Sequence, residues 1–339
     1  MQKFEKHSPV VVTEVTTKHE LRQFMQYPNR LYADNPNYIP SFYGDDLSDW
    51  TPGKNPAFDY CEARCWLAWR DGEIVGRIGA ILSHKANDKF GTHRMRFSQV
   101  DFVDDSEVSA ALFGMVERWA REKGCDQVHG PLGFTDMDRE GMLVEGFDRR
   151  SLFFTNYNAP YYLEHLTRLG YRKDVDWIEY RITVPEPGGA EAERLHKLSE
   201  FILKRKHLHV ATVHHKSEYG PFVRQVFELV NAAYAPLYGV VELSDEQIER
   251  YANKFIPLVD PDFVCFVLDE QDKLVAFGVT ALDPSVALKH SDGRLFPFGW
   301  AGVLNDLHHS DTLIMLLTAV RPDLQTEGIN AVMMDHVCQ

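Results

Sequence analysis

The sequence predicts an α/β (α+β) protein made of two mixed-sheet domains in tandem, the second incomplete on its C-terminal side. Three observations lead there. The chain has 339 residues, where a common domain has about 100–150. Pro185-Glu-Pro-Gly-Gly189 has the composition of a linker and divides the chain into 1–185 and 186–339. One order of elements (helix, hairpin, strand, helix) occurs on each side of it, with Ile74-Val75 and Leu274-Val275 at matching places.

Composition narrows the functional classes. Hydrophobic residues are 44% and charged residues 25% of the chain, which fits a globular protein and excludes a disordered chain or a fibre. Lys and Arg number 36 against 50 Asp and Glu, a net charge of −14, and this opposes nucleic acid as the main partner because phosphate binding needs a cationic footprint. No run of about 18 apolar residues exists to span a membrane. Met1–His7 lacks the apolar core of a secretory leader. Five cysteines, an odd and sparse number, suit reduced thiols in the cytoplasm. Cys61 and Cys65 fall on one predicted strand, about 13 Å apart, too far to share a metal. No other set has ligand spacing, so no metal is expected.

In the first half, Ser8–Val15 is β-branched and strand-like. Thr17-Lys-His-Glu20 is a capping box that opens a helix to about Tyr32, with a break expected at Pro28. A Pro- and Asp-rich stretch fills Asn35–Phe58. Cys65–Arg70 and Ile74–Ile81 form a hairpin across Asp71-Gly72, a dipeptide suited to positive φ. Arg94–Val103 alternates as a strand. Ser106–Lys123 has helical apolar spacing and stops at Gly124. Cys125–His129 is a short strand, Gly130–Arg150 a charged loop, Asn158–Leu169 a helix and Asp176–Val184 a strand. Within the loop, Asp136-x-Asp138-x-Glu140-Gly141 starts like a calcium loop, but Phe147 stands where the twelfth-position carboxylate belongs. A functional or partner-binding loop and a plain wrap over the sheet stay equally open.

In the second half, helices cover Glu191–His207 and Tyr219–Tyr234, and Ser244-Asp-Glu-Gln247 caps a third. Phe263–Leu268 and Leu274–Val279 form the second hairpin. Leu313–Val320 is a buried-type strand, followed by a Pro turn and a helix from about Gly328. A helix start presents free N–H groups and partial positive charge, which suits a phosphate. An ordinary strand–loop–helix connection has the same pattern.

The run Val320-x-Pro322-x-x-Gln325-x-x-Gly328-x-Asn330 resembles the pyrophosphate loop of the GNAT acetyltransferase family: Gln or Arg, two residues, Gly, one residue, then Gly or Ala. Gln325 and Gly328 match; Asn330 departs from it, and Ala331 follows. The resemblance implies that acetyl-CoA or another acyl-CoA binds as co-substrate, with Val320, Gln325, Thr326, Glu327, Gly328, Ile329 and Asn330 around its pyrophosphate. The first half is similar to the same family, and Asn158–Tyr171 is similar to its late helix. Its loop position, however, reads Asp101-Phe-Val-Asp-Asp-Ser-Glu107, without Gly and with four carboxylates that would repel a pyrophosphate. The first half is therefore expected to have the fold without the coenzyme site.

Acyl transfer needs a base for the attacking amine and an acid for the leaving thiolate. Glu242, Tyr234 and Tyr238 flank the expected cleft of the second half, with the run Trp300–Asp306 beside it. Each of these residues has a structural role as its simpler explanation. The acceptor implied is an amine of a small molecule or peptide. A non-catalytic ligand-binding or regulatory protein on the same fold is the competing class. A third is aminoacyl transfer from a carrier, which the negative charge disfavours if the carrier is tRNA. A GNAT domain continues past the phosphate-loop helix, so the second sheet is expected to leave an edge open where its next strand would pair. A second chain covering that edge would make a homodimer.

Overall fold

The computed structural model describes residues 8–338. The reading of Met1–His7 lies outside them. The chain divides into two compact units. One runs to Trp177 and takes in Ser285–Val303; the other holds Ile178–Pro284 and the chain from Leu304 onward.

The first unit has a five-stranded sheet in the order β1-β2-β3-β4-β5. Strand β1 (Val11–Glu14) leads to helix α1 (Lys18–Leu31), whose capping box forms as expected: Thr17 Oγ1 accepts from Glu20 N, and Glu20 Oε2 accepts from Thr17 N at 2.9 Å. The helix continues through Pro28 instead of breaking there. After the short α2 (Tyr43–Asp49), the hairpin of β2 (Cys61–Arg70) and β3 (Glu73–Ser83) turns at Asp71 and Gly72, with φ of 51° and 83°. The connection α3 (His84–Phe90) leads to β4 (Arg94–Phe102). Next come α4 (Ser106–Glu122), β5 (Gln127–His129) and α5 (Tyr162–Arg168), the β5 strand running parallel to β4. Between them 130–150 is loop throughout. The core is aromatic, with Trp66, Phe97, Phe102, Phe113 and Tyr162 almost fully buried.

The Asp176–Val184 strand does not form. The segment pairs with no strand among the described residues, and Ile178, Tyr180 and Ile182 are 70%, 77% and 64% exposed. The alternation that predicts a strand is present, but a strand also needs a neighbour to pair with.

The second unit begins with α6 (Ala190–Lys206) and β6 (His209–Val210), followed by α7 (Gly220–Tyr234) and α8 (Asp245–Phe255), the last with its Ser244–Gln247 capping box. Strands β7 (Val264–Leu268) and β8 (Leu274–Leu282) make the second hairpin. Helices α9 (Ser285–His290) and α10 (Gly299–His309) follow and were not expected from local pattern. Residues 285–303 fold with the first unit: Lys289 donates to Tyr38 O at 2.9 Å, Asn29 to Asp292 O at 3.0 Å, and Tyr43 N to Gly293 O at 2.9 Å. Strand β9 (Leu313–Val320) and helix α11 (Asn330–Cys338) complete the unit.

The second sheet has the order β6-β7-β8-β9. Its two faces are covered differently. Cys265, Val267, Val275 and Val320 pack with Ile202 of α6 and Val332 and Met333 of α11. Val264 and Phe266 turn to the side of α7 and α8. Among the described residues no strand pairs with the outer edge of β9, so the expected open edge is there.

Candidate functional site

Both units place a bulged strand fourth in the sheet. In β4 the register jumps from Arg77↔Asp101 to Gly79↔Ser98, and Gln99 takes φ 46°. In β9 it jumps from Val279↔Leu317 to Thr280↔Met315, leaving Leu316 as the extra residue. A bulge bends its strand and interrupts pairing locally.

After β9 the chain turns sharply. Arg321 N donates to Val275 O at 2.8 Å, and residues 322–324 make one 3₁₀ turn. Arg321 binds Asp323 at 2.7 Å through Nε and lies 3.5 Å from Asp269; it holds the Asp323 carboxyl below the usual range. The loop then needs left-handed backbone twice, at Thr326 (φ 69°) and Gly328 (φ 83°). Gly328 is required on two counts. Its φ favours glycine, and a Cβ there would come 3.1 Å from Ile202 Cδ1. Ile329, 1% exposed, anchors the loop in the core.

The resulting donor set is distinctive. The backbone N–H groups of Gln325, Thr326, Gly328, Ile329 and Asn330 donate to no acceptor among the described residues. The Gln325 side chain is turned inward, donating to Val320 O at 3.2 Å. Glu327 is paired with Lys206 at 2.7 Å, which holds its carboxyl low and offsets the negative charge beside the loop. Val320 is buried at the end of the strand.

The three acid–base candidates are placed unevenly. Tyr234, in the last turn of α7, donates its hydroxyl to Thr318 O of β9 at 2.8 Å. Tyr238 and Glu242 lie in the connection between α7 and α8, with Glu242 exposed and Tyr238 half-buried. Of the run Trp300–Asp306, all residues lie in helix α10.

The equivalent loop of the first unit is closed by its own side chains. Asp105 caps α4, its Oδ1 accepting from Glu107 N at 2.8 Å and Val108 N at 3.4 Å. Arg70 binds Asp105 and reaches Glu107 at 2.7 Å, while Asp104 meets His165 at 2.9 Å. Asp101 is a correction to the sequence reading. It does not belong to this loop but to β4, 4% exposed, bound to Arg77 Nε at 2.7 Å. Burial pushes its carboxyl up, opposed by the Arg77 guanidinium.

Arg77 and Asp101 line a cavity of about 480 Å³ in the first unit, with Tyr38, Arg139, Asn158 and Tyr162. Sequence reasoning missed it, because it depends on a buried Arg that no local spacing marks. In the neighbouring loop, burial pushes Asp136 up to about 6 and Glu140 up to about 8, and Glu140 Oε1 has no hydrogen-bond partner among the described residues.

No family model matches the chain. It is 28% identical over 324 residues to Protein YghO of Escherichia coli K12, covering 95% of this chain and 81% of that protein. It is 29% identical over 300 residues to the bacterial ceramide synthase of Caulobacter vibrioides, covering 86% and 75%. Among solved structures, a tandem GNAT protein from the clavulanic acid biosynthesis pathway aligns over 96% of this chain and 83% of its own, with a TM-score of 0.46 and 11% identity. A GCN5-related glucosamine N-acetyltransferase region of a fungal multi-domain β-N-acetylglucosaminidase aligns over 99% of this chain and 34% of its own, with a TM-score of 0.50 and 11% identity. By the last of these likenesses, which takes in both sheets, the chain has the fold of the GNAT N-acetyltransferases.

Proposed function

We propose that the protein is a cytoplasmic acyl-CoA-dependent N-acyltransferase whose coenzyme binds at the 320–330 loop and whose acceptor is the amine of a small molecule or peptide. The N–H groups of Gln325, Thr326, Gly328, Ile329 and Asn330, which donate to no acceptor among the described residues, behind a bulged edge strand of a GNAT fold, carry this reading. Aligned N–H groups at the start of a helix suit a pyrophosphate. The Caulobacter relative's name supports the same reaction class, since a ceramide is an N-acylated amine.

In the reaction the amine nitrogen attacks the thioester carbonyl. A C–N bond forms, the C–S bond breaks, the nitrogen loses a proton and the thiolate gains one. Glu242 is the candidate base and Tyr238 the candidate acid. Tyr234 is a candidate acid only if its hydroxyl leaves Thr318 O.

Calorimetry with acetyl-CoA tests the reading. The native chain should bind. Gly328→Glu should weaken binding by a hundredfold or more, because it adds both a charge and a side chain at positive φ. Asp105→Ala, in the closed loop of the first unit, should leave affinity unchanged. No binding by the native chain would overturn the reading and favour a non-catalytic protein on this fold.

A further inference from the structure

The side of the second sheet that faces α7 and α8 is incompletely filled. It leaves a partly open pocket, about 490 Å³ of empty space with the solvent at its mouth counted. Val226 and Phe227 of α7, Ala252 and Phe255 of α8, Phe266 of β7 and Leu317 of β9 are among its walls, and none of its lining side chains carries a charge. Protein interiors hold few voids larger than a water molecule. A wall this apolar offers water few partners and suits hydrocarbon. The one polar side-chain group in the lining is the Tyr219 hydroxyl, which is buried and has no hydrogen-bond partner among the described residues. The ring of Tyr219 lies edge-on to Phe266 at 6.3 Å, so the residue is fixed in the wall.

The cavity shares strand β9 with the candidate site. Leu317 belongs to the bulged part of β9, and the next residue, Thr318, is the one whose carbonyl binds Tyr234. The coenzyme loop begins at the end of the same strand.

We propose that this cavity holds the aliphatic chain of a long-chain substrate, placing its reactive end beside β9. The inference deepens the acyl-transfer reading and rests on it for the identity of the reactive end; the chain-binding claim can be tested alone. The almost wholly hydrocarbon wall selects an aliphatic chain over a polar acceptor such as a sugar.

The test is calorimetry on the full chain with two series below their micelle concentrations. One is octanoate, decanoate and dodecanoate. The other is coenzyme A, acetyl-CoA and decanoyl-CoA. Each added methylene that enters the cavity should tighten binding about fourfold. Ala252→Phe, which fills the cavity, should abolish that gain. Val223→Trp, at a half-buried position of the lining, is the second variant should Ala252→Phe misfold, with circular dichroism and thermal melting as the folding check. A rise along the alkanoates with no binding of coenzyme A or acetyl-CoA would keep the cavity assignment and overturn the coenzyme site. Binding of acetyl-CoA with no gain from chain length would do the reverse. An unchanged rise in a folded variant, or naphthalene binding as tightly as dodecanoate, would overturn the assignment of an aliphatic chain.

Discussion

In one unit the bulged strand β4 leads into a helix whose first N–H groups are taken by Asp105, with Arg70 behind it. In the other, β9 leads into a loop held by Gly328 and Ile329, five of whose N–H groups between 325 and 330 donate to no acceptor among the described residues. The spaces beside these strands differ in the same sense. The first unit has a polar cavity built on the buried Arg77–Asp101 pair. The second has a hydrocarbon one. The same backbone device thus serves opposite chemistries, and the difference lies in the few residues that satisfy or leave unsatisfied the polar groups nearby.

The largest effect expected from this comparison is in the first unit. Arg77→Met leaves Asp101 buried without its partner and should destabilise that unit by about 3–5 kcal/mol, measured by urea unfolding. Adding Asp101→Leu should recover most of the loss, since a buried pair is often replaceable by apolar packing. A loss under about 1 kcal/mol for the single variant would mean that Asp101 is neutral in the folded state and that the cavity is less polar than its lining suggests.

A smaller effect concerns the loop 130–150. Glu140 has an ordinary value of 4.5 and is pushed up to about 8 by burial, so between those values the folded state holds a proton that the unfolded state does not. Stability should therefore fall as pH rises through that window, by at most about 1.4 kcal/mol per pH unit, and Glu140→Gln should flatten the profile. Asp136, pushed up to about 6, adds a second contribution of the same sign at lower pH. An unchanged slope in Glu140→Gln would locate the titration elsewhere.

Much of this framework was legible in the residues. Thr17–Glu20 and Ser244–Gln247 specify helix starts through contacts three residues apart, and Asp71-Gly72 specifies its turn through backbone alone. Gly328 stood out only as a glycine at a helix start and by its match to the GNAT loop pattern; its positive φ came from the structure. What escaped depends on partners distant in sequence. Residues 285–303 join the first unit through Asn29, Tyr38 and Tyr43, and no pattern within the segment announces that. Asp176–Val184 has strand composition but no neighbour to pair with. Asp101 reads as one more acid in an acidic run until Arg77, on the adjacent strand, is seen against it.

One substitution made in both units gives the finest test, because its sign should reverse. Tyr162 of the first unit accepts from Phe102 N at 2.8 Å and meets the Tyr32 hydroxyl at 2.8 Å. Tyr162→Phe takes away the acceptor of the buried Phe102 N–H and one partner of the Tyr32 hydroxyl, and should cost about 1–3 kcal/mol. Tyr219 of the second unit is also buried, but its hydroxyl has no hydrogen-bond partner among the described residues. Tyr219→Phe keeps the ring against Phe266 and removes a desolvated group that water would satisfy in the unfolded chain. It should raise the melting temperature of the unliganded protein, by the equivalent of about 1 kcal/mol. If Tyr219→Phe destabilises instead, its hydroxyl already has a partner such as a trapped water. The lining would then include a hydrated polar group, and the contrast between the polar and the hydrocarbon cavity would narrow accordingly.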